Sequence, residues 1–289
     1  MTGRKDANRL LFHLSDIHFG LEDNQALDWV KREIAERRPD AVAITGDLTM
    51  RARHREFNAA IHWITGLDVP VTVEVGNHDM PYFNPVERFF DPYKRFKGMA
   101  KLIERAIDLN GLVIVPLKTA VRAQPRLNWS KGWVTDRALA KCLDAIDALP
   151  EGRRALVAVH HPLREVGTEG TALTRHGGKA LAELARRPVE AVISGHVHDP
   201  FDIMEETTEG PVRMIGAGTL SKRTRSTPPS FNELCWDGES LSVTARNLEE
   251  VNTRDMQIDD VPEDARPPRE DGDPVAPVGQ VPRVDPPVR

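Results

Sequence analysis

Nine short apolar runs, most of them rich in β-branched residues, recur along this chain and limit what it can fold into. They are LLFHLS (10–15), AVAIT (41–45), VTVEV (71–75), LVIVP (112–116), ALVAV (155–159), AVIS (191–194), VRMIG (212–216), FNELCW (231–236) and LSVTAR (241–246). Runs of this length read as largely buried strands. Helical patterns near 24–37, 53–65, 135–148 and 177–186 separate the earlier ones, and such alternation indicates an α/β protein. The closing runs have little helix between them and read as a meander, punctuated by Gly218-Thr219 and Pro228-Pro229.

Two segments break this pattern. Residues 81–110 are long, amphipathic and rich in aromatics and bases. They read as a helical excursion packed on the core, or else as a cap beside a pocket or a contact between two copies in a homodimer. From about residue 255 the composition changes: eight of the 22 prolines and nine of the 44 acids fall in the last 35 residues. Such a segment buries too little apolar surface to offset its ordering entropy. The expected organisation is one domain over 1–254 followed by a disordered or extended tail over 255–289.

The rest of the composition excludes several classes. The net charge is -5, and outside the tail acids and bases balance at 35 each, which argues against a dedicated nucleic-acid surface. Local basic clusters remain, for example around Lys222, Arg223 and Arg225. Two distant cysteines, Cys142 and Cys235, make neither a disulfide framework nor a zinc-thiolate site. No apolar run approaches the ~20 residues that span a bilayer. The N-terminal apolar stretch is too short for a signal-peptide core, so the expectation is a soluble cytoplasmic protein.

Five of the apolar runs end in potential ligands. In order, these are Asp16-Ile17-His18, Gly46-Asp47, Gly76-Asn77-His78-Asp79, His160-His161-Pro162 and Gly195-His196-Val197-His198. Carboxyl ends of parallel strands line one edge of a sheet, where ligands bind, so these side chains are expected to converge. Carboxylates, an amide oxygen and imidazoles form a mixed set that suits Mn, Fe, Co or Zn. The set is too large for one tetrahedral zinc and suits two ions about 3.5–4 Å apart, which can hold a hydroxide and clamp a phosphoryl group. Any one motif is weak, since Gly-Asp is commonly a turn. The ordered set is specific, and six of the ten histidines lie in it.

The five blocks D-x-H, GD, GNHD, H-x-P and GHxH resemble the calcineurin-like metallophosphoesterase family, over about residues 10–246. The resemblance implies a four-layer αββα sandwich of two mixed β-sheets flanked by helices, with the metal site at the strand carboxyl ends. It implies that one ion takes Asp16, His18 and His198, the other takes Asn77, His160 and His196, and Asp47 bridges both. His160 is chosen over His161 as the first residue of H-x-P. His78 would assist at the transition state or protonate the leaving oxygen, with Asp79 orienting its ring. The stretches SDIHFG, GDLT, GNHD, HHPL and SGHVH are most similar to the class III cyclic-nucleotide phosphodiesterase-like branch. The expected activity is hydrolysis of small phosphodiesters, cyclic nucleotides among them. The alternatives are a nucleotide-sugar or lipid pyrophosphate hydrolase with a greasy pocket lined by 82–96, a broad-specificity phosphatase, a nuclease and a metal-free scaffold. His13 reads as a satisfied core residue, His54 and His62 as helical surface, and His176 as a loop residue. Ala217-Gly218-Thr219 resembles a family loop close to the metals.

Overall fold

The computed structural model describes residues 8–248 apart from 82–83, 104–106, 108 and 127. Two five-stranded mixed sheets face each other. The first contains β1 (Arg9–Leu14), β2 (Ala41–Ile44), β3 (Val71–Val73), β9 (Ser230–Trp236) and β10 (Leu241–Asn247), in the order β10-β9-β1-β2-β3. The second contains β4 (Leu112–Pro116), β5 (Arg154–Ala158), β6 (Val189–Ser194), β7 (Phe201–Thr207) and β8 (Gly210–Gly216), in the order β4-β5-β6-β8-β7. Within them, β1, β2 and β3 run parallel, as do β4, β5, β6 and β8. Strands β7, β9 and β10 pair antiparallel.

Alternation along the strands builds the layers. Phe12, Leu14, Val42 and Ile44 point away from the second sheet, into a core shared with helices α1 (Asn24–Arg37), α2 (His54–Thr65) and α4 (Lys94–Ile103). Leu11, Ala41 and Ala43 point the other way and meet Leu156, Ala158, Ala191 and Ile193 of the second sheet. The outer face of that sheet packs on α5 (Asp136–Asp147) and α6 (Gly177–Ala185) through Leu139, Cys142, Leu181 and Leu184. The result is the expected αββα sandwich. Local signals set the helix starts: Asp23 accepts the Gln25 and Ala26 N–H groups, and Thr135 accepts that of Ala138.

Two features depart from the expectation. Strand β7 was absent from the apolar runs because it is a half-exposed edge: FDIMEET alternates, and Met204 is 57% exposed. The closing strands are no meander within one sheet. Strand β8 stays beside β6, whereas the β9–β10 hairpin crosses to the first sheet and pairs with β1. In the 81–110 excursion, α4 packs Phe96, Met99, Ala100 and Ile103 into the core beside α2. The short α3 (Pro85–Phe90) exposes Val86, Phe89 and Phe90. Segment 255–289, and with it the boundary expected near 254, lies outside the described residues.

Candidate metal centre

The carboxyl ends of β1, β2 and β3 meet those of β5 and β6 across the gap between the sheets. Cross-links of backbone fix the approach. Asp16 N–H donates to Gly46 O at 3.1 Å, His18 N–H to Asp47 O at 3.0 Å, and Gly195 N–H to His160 O at 3.0 Å. At these ends the chain turns into the left-handed region at Asp16 (φ 52°), His18 (52°), Asp47 (51°), His196 (70°) and His198 (65°). That region costs a non-glycine residue about 1–3 kcal/mol, and a surrounding scaffold must over-determine it. Here it turns five polar side chains toward one point.

All seven expected ligands reach that point. His198 Nε2 lies 3.1 Å from Asp16 Oδ1, and His18 Nε2 lies 3.7 Å from the same oxygen. His160 Nε2 lies 3.2 Å from Asn77 Oδ1 and 3.4 Å from Asp47 Oδ2. Asp47 Oδ2 is also 3.9 Å from His18 Nε2, which places this carboxylate between the two groups. His196 packs beside His160, with ring centroids 5.2 Å apart, and its N–H donates to Asp16 Oδ2 at 2.7 Å.

The outward atoms show which atoms face in. His160 Nδ1 donates to Thr45 O at 2.7 Å, and His198 Nδ1 to Arg223 O at 2.6 Å. Each ring therefore turns Nε2 toward a carboxylate or amide oxygen, a meeting that needs a proton or a metal cation between the two atoms. Asp16 directs Oδ2 to Ser15 Oγ–H and to the His196 backbone N–H, while buried Oδ1 faces the His198 and His18 Nε2 atoms and takes no backbone or hydroxyl donor among the described residues. A metal cation would satisfy these converging oxygens and ring nitrogens in place of such protons. The electrostatics agree. Burial opposes ionisation of Asp16 and Asp47, yet the facing histidines hold both carboxyls below their usual range. Burial also opposes charging of His160, but Asp47 outweighs it and pushes the ring up to about 9. Burial brings His18 and His196 down to about 3. Without a metal, a proton on His160 supplies charge that the carboxylates demand.

His161 shares the cluster, with its ring centroid 4.4 Å from that of His196. Both its nitrogens are nevertheless taken: Nδ1 lies 2.9 Å from Thr119 Oγ1, and Nε2 lies 2.9 Å from Ser130 O. Burial holds it neutral. His161→Gln is therefore expected to keep the metal content of the protein while lowering stability by about 1–3 kcal/mol, because buried partners lose their bonds. Metal analysis beside thermal melts checks this; loss of a bound ion would make His161 a ligand.

His78 and Asp79 sit differently from expectation. His78 Nδ1 bonds Met50 O at 2.8 Å, so a backbone carbonyl orients the ring, and Nε2 faces the pocket. Asp79 instead accepts Thr49 N–H and Gly76 N–H, at 2.8 and 2.9 Å. The expected Asp79–His78 pair is not formed. Asp79 is fully buried and ties the β2 loop to the β3 loop; burial and then Asp47 raise it to about 6. His13 is a satisfied core residue, 3.0 Å from Thr45 Oγ1. His176 bonds Val134 O outside the pocket. Thr219 Oγ–H donates to Asp16 O at 2.7 Å and so braces the first ligand loop.

A pocket of about 300 Å³ opens over the cluster. Asp47, Asn77, His78, His196 and His198 form its floor, and Lys131, Arg223 and Arg225 are its basic wall. None of the described residues of 81–110 lines it, and among the described residues no aromatic ring other than histidine does. Tyr93, Phe96 and Ala100 of that segment line a separate cavity, and residues 82–83, on which the cap and greasy-lining readings also rest, lie outside the described set.

The calcineurin-like phosphoesterase family model matches residues 10–200. This chain belongs to that family. The coarse activity follows: hydrolysis of phosphoester bonds. The chain is 25% identical over 211 residues to the glycerophosphodiester phosphodiesterase GpdQ of Enterobacter lignolyticus, covering 66% of this chain and 71% of the relative. It is 26% identical over 203 residues to a probable cyclic nucleotide phosphodiesterase of Rhodopseudomonas palustris, covering 65% and 71%. Both relatives carry phosphodiesterase names, which supports the resemblance to the phosphodiesterase branch. A dimetal phosphatase from Danio rerio shares the fold, with a TM-score of 0.58 at 12% identity, over 81% of this chain and 98% of that one. Among the described residues of this phosphoesterase, no helix is long and apolar enough to cross a membrane.

Proposed function

We propose that this phosphoesterase hydrolyses small phosphodiesters, cyclic nucleotides among them, at a centre of two divalent ions. One observation carries the reading: seven donors from both sheets converge beneath a small polar pocket, with the Asp47 carboxylate between an Asp16, His18, His198 group and an Asn77, His160, His196 group. We assign those two groups to the two ions and Asp47 to the bridge. The oxygen–imidazole set fits Mn, Fe, Co or Zn. Bound there, the ions would supply Lewis-acid charge to the phosphoryl group and activate the attacking water.

The chain's own residues do the rest. Asn77 Oδ1 and Asp47 hold the floor of the pocket. His78, its Nδ1–H held by Met50 O, delivers a proton from Nε2 to the leaving oxygen when the ring is doubly protonated, and returns to the neutral form. The volume is at the small end of the range for ligand pockets, about 300–1,000 Å³, which favours a substrate of mononucleotide size. The polar lining disfavours a lipid pyrophosphate, and the lack of stacking aromatics among the described lining residues disfavours a nucleic-acid strand.

The test strips the full chain with a chelator, restores it with Mn²⁺, and compares four substrates: a chromogenic phosphodiester, the matching monoester, a cyclic nucleotide and a nucleotide-diphosphate sugar. The expected result is metal-dependent turnover with diesters favoured over the monoester by at least about tenfold, or about 1.4 kcal/mol. Preference for the monoester or the nucleotide-diphosphate sugar, or turnover indifferent to chelation, would sink the proposal.

A further inference from the structure

Arg223 enters the pocket from the loop after β8, and no carboxylate among the described residues forms an ion pair with it. Its Nη1 lies 3.3 Å from His18 Nε2 and 3.3 Å from His78 Nε2, with Met50 Sδ at 4.0 Å. The position is built. The Arg223 N–H donates to Ser221 Oγ at 3.3 Å, Ser221 Oγ meets Thr219 Oγ1 at 2.7 Å, and that hydroxyl donates to Asp16 O. The Arg223 carbonyl meanwhile orients His198. The loop that braces two ligand residues also hangs a permanent cation above them.

Here the guanidinium rests on two ring nitrogens, but beside the ion proposed for His18 the same placement would be unfavourable. Arginine keeps its charge at any working pH, and like charges a few ångströms apart repel. A guanidinium touching His18 would face the ion that His18 holds, unless an anion lay between. A phosphoryl group fits that gap. Its oxygens match the planar donor fork of arginine, often two at a time.

We propose that Arg223 and His78 frame an oxyanion site, in which the guanidinium grips the phosphoryl oxygens that do not leave. This deepens the proposed function and rests on it. Arg223 is then a residue that touches substrate, not a brace for the metal ligands. Bracing of His198 comes from the Arg223 backbone and survives a change of side chain.

Two properties separate the roles. In the full chain, Arg223→Met and Arg223→Lys are compared with the unaltered protein for Mn²⁺ affinity by calorimetry, and for inhibition by inorganic phosphate. A phosphate grip predicts that Arg223→Met binds Mn²⁺ as tightly as the unaltered protein or more tightly, since a repelling charge is gone. Phosphate inhibition should weaken by about 100-fold in Arg223→Met, with only part of it restored in Arg223→Lys, which lacks the fork. Phosphate affinity unchanged in Arg223→Met would overturn the proposal, and so would Mn²⁺ affinity falling in step with phosphate affinity. Absence of Mn²⁺ binding in the unaltered protein would instead take down the reading of the centre, and the grip with it.

Discussion

Asp47→Ala is expected to lower kcat/KM for a phosphodiester by about 10⁴-fold, equivalent to about 5.4 kcal/mol of transition-state stabilisation. The size follows from how much this one carboxylate does. Its Oδ2 stands 3.4 Å from His160 Nε2 and 3.9 Å from His18 Nε2, so it faces both donor groups at once. Its Oδ1 accepts the His78 N–H at 2.8 Å, which sets the start of the loop carrying the proposed acid. Removal therefore loosens the bridge and lets His78 drift, and a misplacement near 1 Å can alone cost about 10²-fold. Asp47→Asn separates charge from shape. It keeps the volume but removes the negative charge and offers a donor where a cation is expected. If Asp47 bridges, Asp47→Asn binds fewer ions than the pair proposed for the unaltered protein. Elemental analysis of dialysed protein reads this directly. Asp47→Ala retaining near-normal turnover, or Asp47→Asn retaining a full pair of ions, would remove Asp47 from the bridge.

How far the sequence foretold this depends on the kind of feature. Donors following apolar runs were legible because strand ends are legible, and every one of the seven reaches the cluster. The choice of His160 over His161 needed the resemblance, because nothing in the sequence foretells that Thr119 and Ser130 occupy both nitrogens of His161. Partners across loops were not legible. Adjacency in GNHD paired Asp79 with His78, yet Asp79 faces Thr49 and Gly76, and a carbonyl from residue 50 holds the ring. Carbonyl acceptors leave no trace in residue identity. Arg223 was visible only as part of a basic run, because its loop reaches the pocket through the pairing of β8 with β6. The switch of β9 and β10 to the first sheet was hidden for a similar reason: a hairpin carries no local mark of which sheet it joins.

Gly195→Ala should be nearly as damaging as the loss of a ligand, with kcat/KM down by about 10³-fold, although it removes no donor. Gly195 precedes His196 on the second sheet, and its α-carbon presses against the Ser15–Asp16 loop of the first. A Cβ there would overlap Ser15 Oγ and sit 2.5 Å from Asp16 Oδ2. Both neighbours are fully buried, so neither can swing into solvent. The clash must be relieved by parting the loops that carry Asp16 and His196, which displaces a donor of each proposed ion. Overpacking of this kind costs about 1–3 kcal/mol of stability, which for a domain of this size is roughly 2–4 °C of Tm per kcal/mol. Gly98→Ala gives the contrast. Gly98 lies exposed inside α4, with nothing within 4 Å of the position its Cβ would take. Alanine there should stabilise by about 0.5–1 kcal/mol through helix propensity and leave turnover alone. The same added methyl is thus expected to act with opposite sign at two glycines, because only one of them stands where the two sheets touch. Metal content, melting temperature and diester turnover measured on both variants decide it. Full metal content and rate in Gly195→Ala would mean that the sheets need not meet this closely for the centre to form.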